Sequence, residues 1–135
     1  ENDENFIRLK DVYSSAAVNI VTETQYYYPC LISEKTLLAF VARQVPILIG
    51  HQGIVADCEG SGFDVFRDVV DTSYDNLPDD CRVEQAIIRN QDLILGNVNL
   101  EHLQTRIEAN RLHVIKNGLI DYYKNNSSHA DYQWE

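Results

Sequence analysis

The sequence predicts an α/β fold: a small parallel sheet of about three strands with flanking helices and a helical C-terminus. Two observations lead there. Short β-branched apolar runs alternate with helix-length segments, which favours crossover connections and parallel strands. The last part of the chain then carries two longer stretches with apolar residues at helical spacing.

Taken in order, Val18-Asn19-Ile20-Val21-Thr22 is β-branched and mostly apolar and reads as a buried strand. Tyr26-Tyr27-Tyr28-Pro29 follows as a loop. Ser33 can cap a helix whose first turn carries Glu34, with Leu37, Leu38, Phe40 and Val41 on its buried side. Val45-Pro46-Ile47-Leu48-Ile49-Gly50 is a second strand, with its proline near the start. Gly53 opens a short helix through Ile54, Val55 and Cys58, ended by Gly60 and Gly62, and Phe63-Asp64-Val65-Phe66 reads as a third short strand. After Pro78, Asp79 or Asp80 can cap a helix with Val83, Ala86, Ile87 and Ile94 on one side. Asn99 can cap the last helix, whose apolar set is Leu100, Leu103, Ile107, Leu112, Ile115 and Leu119; Asn110 breaks any strict heptad. A single domain is expected over residues 1–124, with a polar tail at 125–135.

Charge narrows the function. Eleven Lys and Arg stand against 21 Asp and Glu, for a net charge of −10, so the clustered cations that bind a nucleic-acid backbone or an anionic membrane are missing. Between His51 and Arg82 eight acids face two bases, which places −6 in that segment. No apolar run approaches the ~18 residues of a membrane span. Cys30, Cys58 and Cys81 fit neither a disulfide framework nor metal-ligand spacing, and read as thiols of a reducing, cytoplasmic setting. Asp71, Asp75, Asp79 and Asp80 lack the spacing and central glycine of a calcium loop and read as a solvated turn, so no metal is expected. Hydrolase elbows, zincin helices, Walker loops and dinucleotide fingerprints are all missing, and no catalytic residue is assigned.

In open parallel sheets, ligands lie beyond the carboxyl ends of the strands. Two loops qualify: Thr22-Glu23-Thr24 leading to Ser33-Glu34-Lys35, and Gly50-His51-Gln52-Gly53. Both direct a helix N-terminus to one rim, which suits a diphosphate. Lys35 can add a point charge, and Glu34 can accept hydrogen bonds from paired sugar hydroxyls. The same Ser33-Glu34 pair is equally ordinary helix-start chemistry, and Glu23 at a strand end can be a plain solvated acid.

These segments, in this order and spacing, resemble the C-terminal part of fucosyltransferase-like glycosyltransferases, including glycosyltransferase-like proteins of marine bacteria and their phages. The pieces are Val18–Thr24, Ile32-Ser33-Glu34-Lys35-Thr36 and Val45–Gly50, continued by Gly62-Phe63-Asp64 and Asp71-Thr72-Ser73-Tyr74-Asp75. The resemblance spans about residues 12 to 95. It implies a GT-B fold, two Rossmann-like domains facing a cleft, of which this chain would be part of the nucleotide-sugar-binding domain. By it, Glu34 holds the ribose hydroxyls and Lys35 the diphosphate, with no metal and no cofactor beyond the donor. The chain departs from fucosyltransferases at Leu31, where they carry Tyr, and near Arg43-Gln44, where they carry Gly. The base that activates the acceptor belongs, in that family, to an N-terminal domain. Three strands are also fewer than the about five or six of open nucleotide-binding sheets. A missing domain is therefore expected, or a homo-oligomer formed through an exposed sheet edge, as in a non-catalytic interaction module.

Overall fold

The computed structural model describes residues 18–23 and 33–117. Strand β1 (Val18–Thr22) crosses through helix α1 (Glu34–Val41) to strand β2 (Val45–Ile49), and the two strands pair in parallel from Val18↔Val45 to Thr22↔Ile49. Helix α2 (Ile54–Gly60) follows β2. A 3-10 turn at Ser73–Asn76 leads to α3 (Asp79–Arg89) and the short α4 (Gln91–Ile94). A second 3-10 turn at Glu101–Leu103 runs into α5 (Gln104–Lys116). The fold is mixed α/β, a parallel sheet with flanking helices and a C-terminal helix. The triple tyrosine, Cys30, Leu31, Leu119 and the polar tail lie outside the described residues.

All five residues of β2 are buried, as expected for a parallel strand covered on both faces. Tyr74 closes one side: it is fully buried and its hydroxyl donates to Leu48 O at 2.5 Å. On α1, Leu37 and Phe40 are buried as expected, whereas Leu38 is half exposed. Phe40 stacks on Phe63 at 4.4 Å between ring centres, and His113 of α5 meets Phe63 edge-on, which ties the last helix to the first.

Helix ends explain two unusual backbone positions. Gln44 N donates to Ala39 O and Arg43 N to Phe40 O, the paired bonds of a Schellman ending, and they put Arg43 at φ 60°. This left-handed position favours glycine. Arg43 offsets part of that strain by bonding Glu108 of α5 at 2.9 Å. At the end of α2 the equivalent residue is Gly62, at φ 99°, and there the His113 ring also occupies the space a Cβ would need, 2.8 Å away.

Several expectations fail. Phe63–Phe66 is not a strand: the described sheet has two, β1 and β2. Asn110 of α5 takes both backbone groups of Asp64, accepting from its N–H and donating to its carbonyl at 2.9 Å each, and Phe66 turns left-handed at φ 57°. A side-chain amide thus stands in for a strand partner. The helix after Pro78 is capped by Pro78 without a side-chain bond, since Asp79 is drawn to Arg82. It also breaks at Asn90, whose amide donates to both Ala86 O and Asp71 O. Finally, the apolar sets face differently than expected. Ala86 is buried and Ile94 packs against the core, but Val83 and Ile87 are 46% and 40% exposed. On α5 the buried stripe is Ile107, Asn110 and Val114, while Leu112 and Ile115 face outward. Nor does Asn99 cap the last helix: its side chain accepts from Glu101 N at 2.9 Å, but the 3-10 turn has Leu100 as its N-cap and α5 has Leu103, neither with a side-chain bond.

Candidate functional site at the strand ends

The register brings the ends of β1 and β2 level, and the next residue of each meets the other strand's end. Glu23 N donates to Ile49 O at 2.7 Å. A Cβ on Gly50 would lie 3.0 Å from that of Glu23 and 2.8 Å from Ile54 Cδ1, so only glycine fits there without displacing a neighbour. The described starts of the two expected loops, Glu23 and Gly50, therefore meet.

Their chemistry is different from the expectation. Glu23 is 3% exposed, not solvated. Its Oε2 accepts from Ser33 N at 2.9 Å and from Thr36 Oγ1 at 2.8 Å, and its Oε1 accepts from the Ser33 hydroxyl. Ser33 Oγ in turn caps α1 by accepting from Lys35 N at 3.1 Å. A carboxylate of the protein itself thus sits at the N-terminus of α1, where an anionic ligand was expected.

The N-terminus of α2 is filled in the same way. Asp75 is 5% exposed, which corrects its reading as part of a solvated turn. Its Oδ2 accepts from Val55 N at 3.1 Å, its carbonyl accepts from Gly53 N, and Oδ1 has no partner among the described residues. Burial pushes the Asp75 carboxyl above the ordinary carboxylate range, against the pull of the surrounding amides. Beside it lies Arg82, 2% exposed, donating to Gly50 O at 2.9 Å, Leu77 O at 2.7 Å and Asp79 at 2.5 Å. This guanidinium holds the loop after β2 and faces no solvent.

The other rim residues divide. Lys35 is exposed and, with Thr22, lines an open groove of about 700 Å³ between β1 and α1, walled by Asn19, Ile20, Leu38 and Gln44. Glu34, half buried, follows Ser33 at the helix start. His51 is held by Asp57, Nε2 to Oδ2 at 2.6 Å. Gln52 turns away, donating to Asn76 O at 2.5 Å, and Gly53 supplies the left-handed N-cap of α2 at φ 92°. Cys58 is fully buried; burial pushes its thiol up, and the charges of Glu23, Glu59 and Asp57 add to that, so it stays an inert thiol. Cys81, half buried, is also a free thiol.

Sequence reasoning missed Asp57, Asp75 and Arg82 as parts of this site. Their roles depend on contacts 6, 20 and 32 residues away, and no local spacing marks them. Among the described residues no group of three or more His, Cys, Asp or Glu side chains could hold a metal ion, and no helix is long and apolar enough to cross a membrane. Comparison of the chain with protein-family models, curated proteins and solved structures finds no match.

Proposed function

We propose that this chain is the donor-binding part of a GT-B, fucosyltransferase-like glycosyltransferase, holding a nucleoside-diphosphate sugar for transfer when paired with an acceptor domain. The observation that carries the reading is the clamp on the first turn of α1. Three hydrogen bonds from that turn converge on Glu23, and they fix Glu34 and Lys35 at the strand ends. Adjacent helical residues diverge by about 100°, so the two side chains can address different parts of one extended ligand. Glu34 accepts from the ribose hydroxyls. Lys35, beside Thr22 at the groove, neutralises the diphosphate as the sugar C1–oxygen bond breaks and the acceptor oxygen bonds to C1. Ser33 and Glu23 position these groups rather than touch the ligand, and Gly50 to Gly53 close the opposite side of the rim. Calorimetric titration of the complete protein with GDP and with UDP tests this. Saturable binding that Lys35→Ala weakens is expected; no binding of either at millimolar concentration refutes it.

A second reading, a non-catalytic module acting through association, has its own observation. Among the described residues β1 pairs with β2 alone, and the groove beside it carries Ile20 and Leu38, 40% and 50% exposed. An open strand edge flanked by apolar side chains invites another chain. Light scattering separates the two: a monomer that binds nucleotide excludes this second reading.

A further inference from the structure

We propose that the groove between β1 and α1 takes an extended peptide, added as a strand to the free edge of β1, with an acceptor, an apolar side chain and an acid at alternate positions. The inference does not rest on the donor-binding reading; it names an occupant for the open strand edge. Among the described residues β1 pairs with β2 alone. Glu23 N bonds Ile49 O, and backbone groups alternate sides along a strand, so those of Asn19 and Val21 also face β2. The N–H and C=O of Val18, Ile20 and Thr22 therefore point to the free edge, where an added strand finds its ladder. Edge strands are commonly guarded by charge or proline, and β1, Val-Asn-Ile-Val-Thr, carries neither.

The side chains around the edge define what that strand carries. Asn19 bonds Gln44, and Glu23 bonds Ser33 and Thr36, so the odd-numbered side chains of β1 lie on the α1 side. Every second side chain of an added strand falls on that side too. Three features meet it there, over about 10 Å of strand from Asn19 to Thr22. At the Asn19 end, Gln44 lines the groove and is 7% exposed. Its Oε1 accepts from Asn19 Nδ2 at 2.8 Å, but its own NH₂ has no partner among the described residues. An amide so nearly buried calls for an acceptor. At the Thr22 end stands Lys35, exposed, the one charged residue among the described residues lining the groove, and without a carboxylate partner among them. Between the two on α1 lies Leu38, 50% exposed, which suits an apolar side chain. Ile20, 40% exposed, flanks the alternate side chains on the other face.

The test is fluorescence anisotropy of the full chain with end-blocked, labelled pentapeptides, Gln-Thr-Leu-Thr-Glu and its reverse, which cover both strand directions. Amide exchange at Ile20 is followed by NMR on the same samples. Saturable binding of one peptide is expected, with slowed exchange at Ile20 N–H. Lys35→Glu, at an exposed position, should weaken binding about tenfold or more, and a peptide carrying Lys in place of its Glu should restore it. Methylating the peptide's backbone nitrogens should abolish binding, because the ladder then lacks its donors. No binding of either peptide at millimolar concentration overturns the inference, as does binding that leaves Ile20 exchange and the Lys35→Glu affinity unchanged. Ile20 already protected without peptide overturns it too: light scattering then assigns the edge to a second copy if the chain is a dimer, and to the chain's own residues if it is a monomer. GDP and UDP binding is measured separately, so the donor reading stands or falls on its own titration.

Discussion

Replacing Glu23 by Gln separates a structural clamp from a ligand contact. The substitution keeps the volume of the side chain but exchanges one carboxylate oxygen for an NH₂. Glu23 accepts from three donors, Ser33 N, the Ser33 hydroxyl and Thr36 Oγ1, and is 3% exposed. The glutamine oxygen can keep the donors on one side; its NH₂ must face the others. A hydrogen bond to a charged group contributes about 1.5–3 kcal/mol, and a buried donor left without its acceptor costs about 1–3 kcal/mol. One or two bonds lost in this way give a destabilisation of about 2–4 kcal/mol. At about 4 °C per kcal/mol for a chain of this length, Tm should fall by roughly 8–16 °C. Urea denaturation should show a lower midpoint at unchanged slope, because the surface exposed on unfolding is the same. A variant melting within about 2 °C of wild type would refute the clamp.

Two further outcomes follow from the same geometry. Gly62→Ala must place a Cβ 2.8 Å from the His113 ring at φ 99°, and should cost about 2–4 kcal/mol in urea denaturation; a neutral result would mean that α5 is not seated over the end of α2. Asp75 should make stability depend on pH in the direction opposite to most acids. Its folded-state pKa is raised, so its contribution is full below the unfolded value of 3.8 and is lost as pH rises through the folded one. Asp75→Asn keeps an acceptor for Val55 N and removes the titration, so its stability relative to wild type should increase between about pH 4 and about pH 7; denaturation midpoints that track wild type at both pH values refute it.

What the sequence made legible was local. The β-branched runs Val18–Thr22 and Val45–Ile49 became the two strands, and Ser33 became the cap of α1, because those signals are carried by neighbours in the chain. The missing third strand shows the limit: Phe63–Phe66 has strand composition, but Asn110, 46 residues from Asp64, supplies its hydrogen bonds. Helical periodicity identified α3 but placed Val83 and Ile87 on its buried side, where they are not. Arg82 and Ala86 turn inward and Val83 and Ile87 turn out, because the buried guanidinium has carbonyls of Gly50 and Leu77 to bond. Whether Glu23 and Asp75 are solvated acids or buried caps depends likewise on partners 10 to 20 residues away. That the residues after the two strands lie side by side was readable; the identity of the anion at each helix end was not.

That substitution of internal carboxylates for an expected ligand changes how recognition at this rim has to work. Phosphate sites at helix N-termini use unsatisfied backbone amides, and here Ser33 N, Lys35 N and Val55 N are engaged by Glu23, Ser33 and Asp75. A phosphate cannot replace Glu23 without breaking the bonds that hold the first turn of α1. On the donor-binding reading, recognition would therefore fall to side chains mounted on a pre-locked turn, Glu34 and Lys35. Locking that turn before the ligand arrives lowers the ordering cost of binding. Among the described residues little positive charge is left for this rim, since Arg43, Arg67, Arg106 and Arg111 are each in ion pairs elsewhere. One lysine does not neutralise a diphosphate, so on the donor-binding reading donor affinity should depend on cations beyond the described residues of this rim.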